Sequence, residues 1–187
     1  MERWNQVSFE PSVIKSNVYT DTRGFFTEVL KDFGFRQINM SWSKKGTVRG
    51  IHAQRQMGKA MWIASGKATI FAVNLDPSSA LFGKVIAEEM TAGDGKVFFA
   101  PWWWGRGFIA HEDTSVVYAT TDIYRAEHEI AIRYTSLPEV DAIVKATSLN
   151  LIVSEKDQAA HIFGIADTIA ALKEWKRVGD EMAFDEE

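Results

Sequence analysis

The sequence contains no cysteine, which excludes disulfide bonds, thiolate zinc sites and a cysteine nucleophile. The lack of cysteine also fits a reducing compartment, so we expect a cytoplasmic location. No apolar run approaches the roughly 20 residues needed to span a bilayer, and we expect no membrane partner. The first residues, MERWNQVSFEPSV, lack the basic and then apolar layout of a signal peptide.

The sequence also lacks the excess of positive charge that a general nucleic-acid binder needs, since its net charge is −4. This balance still permits a local basic pocket for one anionic small molecule. A chain of 187 residues with 46% hydrophobic and 25% charged residues is expected to fold as one domain over residues 1–187. Aromatic residues are abundant, with seven tryptophans and twelve phenylalanines, and they suit sheets around an enclosed site.

Short segments rich in Val, Ile, Phe, Thr and Trp occupy residues 12–110, with turn-prone residues between them. Many short strands at close spacing predict a β-sandwich or barrel rather than alternating βαβ units. We place this β core at about residues 10–150. The candidate strands are FFTEVL, RQINMSWS, TVRGIHA, KAMWIA, KATIFAVNL, GKVIAEEM and KVFFAP, followed by SVVYATTDIY at residues 115–124.

Helical signals follow at the C-terminal end, where SEKD at Ser154 has the form of a capping box. We expect a helical segment over about residues 154–178 and a frayed acidic tail over 180–187. The apolar residues at helical spacing, expected to pack on the sheets, are Ile162, Ile165, Ile169, Leu172 and Trp175.

His52 lies in the candidate strand TVRGIHA, and Gly50 beside it leaves room for another group. Strict alternation places His52 on one face and Arg49 on the other. A histidine satisfied within the core would show the same pattern. A metal site is not expected, because position 54 is Gln and no other histidine has ligand spacing to His52.

Several other polar residues are candidates for binding an anionic ligand. Arg23 and Arg49 each precede a glycine, and two such arginines could grip a diphosphate bidentately, although surface arginines are common. Gln37 and Asn39, two residues apart, share a strand face and could pair with a sugar or base. The remaining candidates are Tyr118 and Tyr124 around ATTDI, which also suit packing, and Asp157, which also suits a helix N-terminus.

The order of these features resembles the dTDP-4-dehydrorhamnose 3,5-epimerase family over about residues 10–160. The matching blocks are DTRGFFTE, FRQINMSWSKKGTVRGIHAQ, GKAMW, VNLDPSSALFGK, APWWWGRGF, YATTDIYRAEHE and VSEKD. The resemblance implies a cupin-like jelly roll, a homodimer and metal-free epimerisation without a cofactor. The implied substrate is a nucleoside-diphosphate 4-keto-6-deoxy sugar, dTDP-linked in the family and used for rhamnose and polysaccharide biosynthesis.

The resemblance also implies a role for each matching residue. His52 matches the family's base, Asp157 the carboxylate that orients it, Lys59 the cation at the enolate oxygen and Tyr118 the acid. Histidine titrates near neutral pH, as a general base should. The residues that match substrate-binding positions are Arg23, Glu28, Gln37, Asn39, Arg49 and Tyr124.

The chain departs from the family pattern at PWWWGRGF, residues 101–108, where Arg106 replaces a second histidine. Arginine stays charged and cannot exchange a proton as histidine does. We therefore expect Arg106 to bind substrate in a reshaped pocket, with an altered sugar or inversion at one carbon only as the consequence. Neutral drift within the family, with the reaction unchanged, would give the same substitution. Two alternatives stay open: a nucleotide-sugar 3,4-ketoisomerase, and a non-catalytic cupin that only binds a nucleotide sugar.

Overall fold

The computed structural model of the protein describes residues 10–31 and 34–184. The strands are β1 Ser12–Lys15, β2 Val18–Asp21, β3 Gly24–Thr27, β4 Gln37–Ser43, β5 Thr47–Gln54, β6 Lys59–Ser65, β7 Lys67–Asn74, β8 Val85–Thr91, β9 Lys96–Ala100, β10 Trp104–Ala110, β11 Thr114–Thr120, β12 Glu129–Ala131 and β13 Ile152–Val153. The α-helices are α1 Pro138–Ala146, α2 Glu155–Gln158 and α3 Ala166–Phe184. Short 3₁₀ turns cover Ala126–His128 and Tyr134–Ser136.

Two sheets form the body of the fold. One has the strand order β1-β9-β6-β11-β4, and the other has the order β12-β5-β10-β7-β8 with β13 paired to β5. Strands β2 and β3 form a separate hairpin. Apart from β7 and β8, strands that are adjacent in these two sheets are not consecutive in the sequence, as in a jelly roll. The predicted cupin-like jelly roll is confirmed.

Strand β7 lies between two hydrophobic clusters, one on each of its faces. Its Ala68, Ile70 and Ala72 belong to the cluster between the sheets. Phe71 and Val73, on the opposite face, belong to a second cluster beneath the helices. The strand is therefore buried on both faces along most of its length, as central strands often are.

The C-terminal region departs from the sequence-based prediction. The prediction of a helix through Ile162 and Ile165 was wrong, because α3 begins only at Ala166. The side chains of Ile162 and Ile165 are 42% and 46% exposed. Gly164 has φ +83, a left-handed conformation that interrupts helical geometry. Leu172 and Trp175 are buried as expected. Helix α3 continues to Phe184, into the segment expected to fray, and 185–187 lie outside the described residues.

Helix α1 was not predicted from the sequence. Pro138 occupies its first turn, where the missing N–H costs nothing, and Val140 and Val144 on its inner face are buried. These residues extend the cluster beneath the helices. Among the described helices, none combines the length and apolar character that crossing a bilayer would demand.

Candidate active site

A pocket of about 270 Å³ opens between the two sheets and helix α2. Its volume lies slightly below the roughly 300–1,000 Å³ typical of sites that enclose a whole ligand. It therefore suits a sugar better than a complete nucleotide sugar. Its lining residues are Ser41, Arg49, Gly50, His52, Lys59, Met61, Arg106, Gly107, Phe108, Val116, Tyr118, Ser154, Lys156 and Asp157.

An irregularity in β5 brings Arg49 and His52 to the same pocket. His52 lies opposite Arg106 on β10, whereas Arg49 lies opposite Phe108, so β5 has one more residue than β10 between the two pairs. Such a β-bulge reverses the alternation of faces beyond it. The expectation that Arg49 faces away from His52 was therefore wrong.

Gly50 is the residue that allows this bulge. Its φ of +100 is unfavourable for residues with a side chain, and a Cβ there would lie 2.5 Å from the Arg106 carbonyl oxygen. A Cβ on Gly107 would lie 2.5 Å from the carbonyl oxygen of Arg49. Glycine on both strands lets β5 and β10 approach closely enough for His52 and Arg106 to share the pocket.

His52 is held by the carboxylate of Asp157. The Nε2 atom of His52 donates to Oδ1 of Asp157 over 2.6 Å. The Gly50 amide donates to Oδ2 over 3.4 Å, and Ser154 Oγ accepts from the Asp157 amide over 3.1 Å as the N-cap of α2. Burial opposes ionisation of Asp157, but the His52 bond and charge outweigh it and lower the carboxyl pKa. This pairing leaves Nδ1 of His52 as the proton acceptor.

Lys59 and Tyr118 line the pocket from the opposing sheet. The Lys59 ammonium lies 5.3 Å from the centre of the Tyr118 ring, within the range of a cation–π contact. Burial, aided by the positive charge of Arg106, lowers the pKa of Lys59 from 10.5 to about 7. Burial also raises the pKa of Tyr118, so its hydroxyl stays protonated at neutral pH.

Arg106 lies on β10, directly across from His52. Its side chain is only 4% exposed, and its Nη2 donates to the Met57 carbonyl oxygen. The Nε and Nη1 atoms are buried and have no hydrogen-bond partner among the described residues. Burial lowers the pKa of Arg106 to about 9, so the guanidinium is still charged at neutral pH.

Other predicted site residues lie outside this pocket. Arg23 is exposed in the β2–β3 hairpin, where it pairs with Asp21, and Glu28 is exposed beyond β3. Gln37 and Asn39 share one face of β4, as predicted, and are hydrogen-bonded to each other over 2.8 Å. The roles predicted for these four residues remain predictions.

Tyr124 also lies outside the pocket, beyond the end of β11. Its side chain is 44% exposed, and its backbone amide donates to Oε1 of Gln37 over 2.9 Å. The predicted strand over residues 115–124 is therefore too long, because β11 ends at Thr120. A substrate-binding role for Tyr124 remains a prediction.

Two polar pocket residues were not singled out from the sequence. Ser41 follows Asn39 by two positions and so shares its strand face, a signal that alternation could have supplied. Lys156 precedes Asp157 in α2 and is hydrogen-bonded to Glu129 at the pocket rim. Among residues 10–31 and 34–184, no three His, Asp or Glu side chains are grouped as a metal site would require.

Comparisons with known proteins agree with the sequence motifs. Residues 10–164 match the family described as dTDP-4-dehydrorhamnose 3,5-epimerase. Proteins of that name from Methanothermobacter thermautotrophicus and Pseudomonas aeruginosa are each 30% identical to this chain, over 159 and 174 residues. The matches cover 78% of this chain and 85% of the first relative, and 86% and 92% for the second.

A solved structure shows the same fold. The epimerase of Legionella pneumophila, crystallised in complex with dTDP-4-keto-L-rhamnose, matches with a TM-score of 0.74 and 28% identity. The match covers 87% of this chain and 91% of that chain. Because the family match spans most of the sequence, the family predicted from the motifs is confirmed: this chain belongs to the dTDP-4-dehydrorhamnose 3,5-epimerase family of isomerases.

Proposed function

We propose that the protein epimerises a nucleoside-diphosphate 4-keto-6-deoxy sugar, dTDP-linked as in its relatives. The observation that carries this proposal is the His52–Asp157 pair, which faces Lys59 and Tyr118 across one pocket. Epimerisation next to a ketone needs a base, a group that stabilises the enolate oxygen, and an acid on the other face of the ring. The four side chains supply these three functions.

The reaction starts at His52. The Asp157 carboxylate fixes the tautomer in which Nε2 carries the proton, as a triad aspartate does for its histidine. The Nδ1 atom then removes the proton from the carbon next to the C4 ketone. The C–H electron pair becomes a carbon–carbon π bond, and the carbonyl electrons move onto the C4 oxygen, which becomes an enolate.

Lys59 stabilises that enolate, and Tyr118 completes the inversion. Tyr118 gives its hydroxyl proton to the carbon as the carbonyl re-forms. The phenolate then regains a proton from solvent, and His52 releases to solvent the proton that it removed. His52 lies on β5 and Tyr118 on β11, so base and acid belong to opposing sheets. A sugar ring held between the sheets would present one face to each, and removal and return of the proton would invert the carbon.

In this proposal the sugar occupies the pocket, and the nucleotide lies towards the pocket mouth. Arg49 is exposed there, where its Nε donates to Ser43 Oγ over 2.9 Å, and it is the candidate ligand for the diphosphate. Arg23 and Glu28 face solvent in a single chain, so they can bind substrate only at the pocket of a partner subunit.

The exposed apolar surface of the first sheet supports a homodimer. Edge strand β4 exposes Ile38, Met40 and Trp42 by 68%, 69% and 54% on one face. An exposed apolar edge of this kind is normally covered by another chain. Light scattering should give twice the 21.1 kDa chain mass, and Met40→Glu should shift the protein towards the monomer. A monomeric wild type would refute the dimer and the shared binding site.

Proton exchange tests the proposed reaction. In deuterated water with a dTDP-4-keto-6-deoxyhexose, NMR should detect deuterium at C3, C5 or both, and the position identifies the inverted carbon. His52→Asn should abolish exchange while dTDP affinity is retained. His161→Asn is the matched control, because His161 is exposed and lies outside the pocket lining.

Other outcomes identify the alternatives. A product with its carbonyl at C3 would indicate the 3,4-ketoisomerase. Binding of dTDP-sugars without exchange would indicate a non-catalytic protein. The cytoplasmic location predicted from the composition remains a prediction.

A further inference from the structure

Arg106 is a buried cation whose hydrogen-bonding capacity is largely unused. Of its three nitrogens, only Nη2 has a hydrogen-bond partner within residues 10–31 and 34–184, the carbonyl oxygen of Met57. The Nε and Nη1 atoms are buried without a partner among the described residues, while the side chain lines the pocket. Buried donors are nearly always satisfied in folded proteins. An arrangement that leaves two donors unused points to a partner that arrives with the substrate.

Within the part of the chain that the structure describes, no carboxylate is paired with Arg106. Asp157 is already bound to His52 and the Gly50 amide. Burial lowers the Arg106 pKa, and the hydrogen-bond partner of its guanidinium among the described residues is a carbonyl oxygen rather than a carboxylate. Its close neighbour Lys59 is a second cation, and the two repel each other. Burying an unpaired charge is costly, and Arg106 and Lys59 both line this pocket.

The position of Arg106 identifies the part of the substrate that it meets. It lies opposite His52 in the pairing of β5 with β10, whereas Arg49 is exposed at the pocket mouth. A carbon within reach of His52 has its adjacent carbonyl oxygen close to Arg106 and Lys59, while the diphosphate remains near Arg49. The oxygen that becomes negative during the reaction is therefore the acceptor that the unused donors fit.

We infer that Arg106 is a catalytic residue that donates, together with Lys59, to the C4 oxygen as it becomes an enolate. This inference rests on the proposed enolate mechanism. No proton leaves Arg106: the electron pair released by His52 accumulates on the oxygen and is neutralised there by two cations. Because guanidinium remains charged at higher pH than Lys59 does, Arg106 maintains the positive charge as Lys59 loses its proton.

Steady-state kinetics of Arg106 variants test this inference. Arg106→Met should lower kcat by about 10²–10³-fold, the usual effect of removing one oxyanion donor, with KM changed by less than about threefold. Arg106→Lys keeps a cation and should recover part of the loss. Arg55→Met is the matched control, because Arg55 also has a buried, unpaired Nε among the described residues but does not line the pocket.

The pH dependence separates a catalytic role from a structural one. The charged groups that act on Lys59 are Arg106, Glu129 and Lys156. Wild-type kcat should change little from pH 7 to pH 8.5, because Arg106 stays charged and the neutral amine of Lys59 still donates a hydrogen bond to the enolate oxygen. In Arg106→Met, kcat should fall with rising pH, with a midpoint above 7, because loss of the neighbouring charge raises the Lys59 pKa.

Each outcome has one meaning. An increase in KM with unchanged kcat would overturn the inference, because it would indicate a ground-state contact only. Unchanged kinetics of Arg106→Met would overturn it as well. Should Arg106→Met not fold, a kcat of Arg106→Lys that is lowered while KM is unchanged would support the inference, and an increased KM with unchanged kcat in that variant would refute it. Absence of deuterium exchange in the wild type would instead refute the proposed function.

Discussion

Replacing Lys59 by methionine should stabilise the fold while it removes activity. Burial and the charge of Arg106 lower the Lys59 pKa from 10.5 to about 7. Between these pH values the unfolded chain carries the proton and the folded chain does not. Unfolding therefore takes up a proton, so the free energy of unfolding of the wild type rises with pH over this interval. The methionine variant lacks this dependence.

The pKa values set the size of the effect. One pKa unit corresponds to about 1.36 kcal/mol, so the interval from 10.5 to about 7 gives about 5 kcal/mol between its two ends. Water that enters the open pocket reduces the cost of a charged Lys59. We therefore compare the free energy of unfolding of Lys59→Met with that of the wild type at each pH. The difference in favour of the variant should be at least about 2 kcal/mol larger at pH 6.5 than at pH 10.5.

Urea denaturation at pH 6.5, 8, 9.5 and 10.5 measures this difference directly. The curves of wild type and Lys59→Met should diverge as the pH falls, while kcat of the variant drops by about 10²–10³-fold. Lys45→Met is the matched control, because Lys45 is exposed. The difference in free energy of unfolding between this variant and the wild type should not change with pH. If the stability difference between Lys59→Met and the wild type is also independent of pH, the burial of Lys59 described here is refuted.

Three further changes test the site. Asp157→Asn should lower kcat by about 10³–10⁴-fold in turnover assays with little change in dTDP binding, because the amide favours the wrong His52 tautomer. Tyr118→Phe should retain deuterium exchange in NMR but lose inversion, since the enolate regains its proton only from the His52 side; equal losses would contradict this. Gly50→Ala should destabilise the fold by at least about 2 kcal/mol in urea titrations, because its Cβ would lie 2.5 Å from a carbonyl oxygen. Gly34→Ala, with nothing within 4 Å, is its control and should be nearly neutral.

Strand β10 shows why part of the site was difficult to predict. Its sequence, WGRGFIA, contains two glycines and an arginine, which are features more typical of a loop. In the fold, all of its residues are buried, and it lies between β5 and β7. Gly105 and Gly107 are needed because a Cβ at either would lie within 2.5 Å of a neighbouring atom. Local propensity does not report such close approaches between strands.

The sequence by itself determined the β-rich class, most of the strands and, through linear motifs, the family. These properties depend on residue type and short-range alternation, which sequence patterns record directly. The same motifs identified His52, Lys59 and Tyr118 as candidates, and the structure places them in one pocket.

Only the tertiary structure decided how these residues act together. The contact between His52 and Asp157 joins residues 105 positions apart, and the bulge at Gly50 turns Arg49 towards the same pocket. The two unused donors of Arg106 likewise depend on everything packed around that side chain. Strand pairing, bulges and burial are set by long-range packing, and a change of one residue in register reverses which face a side chain occupies.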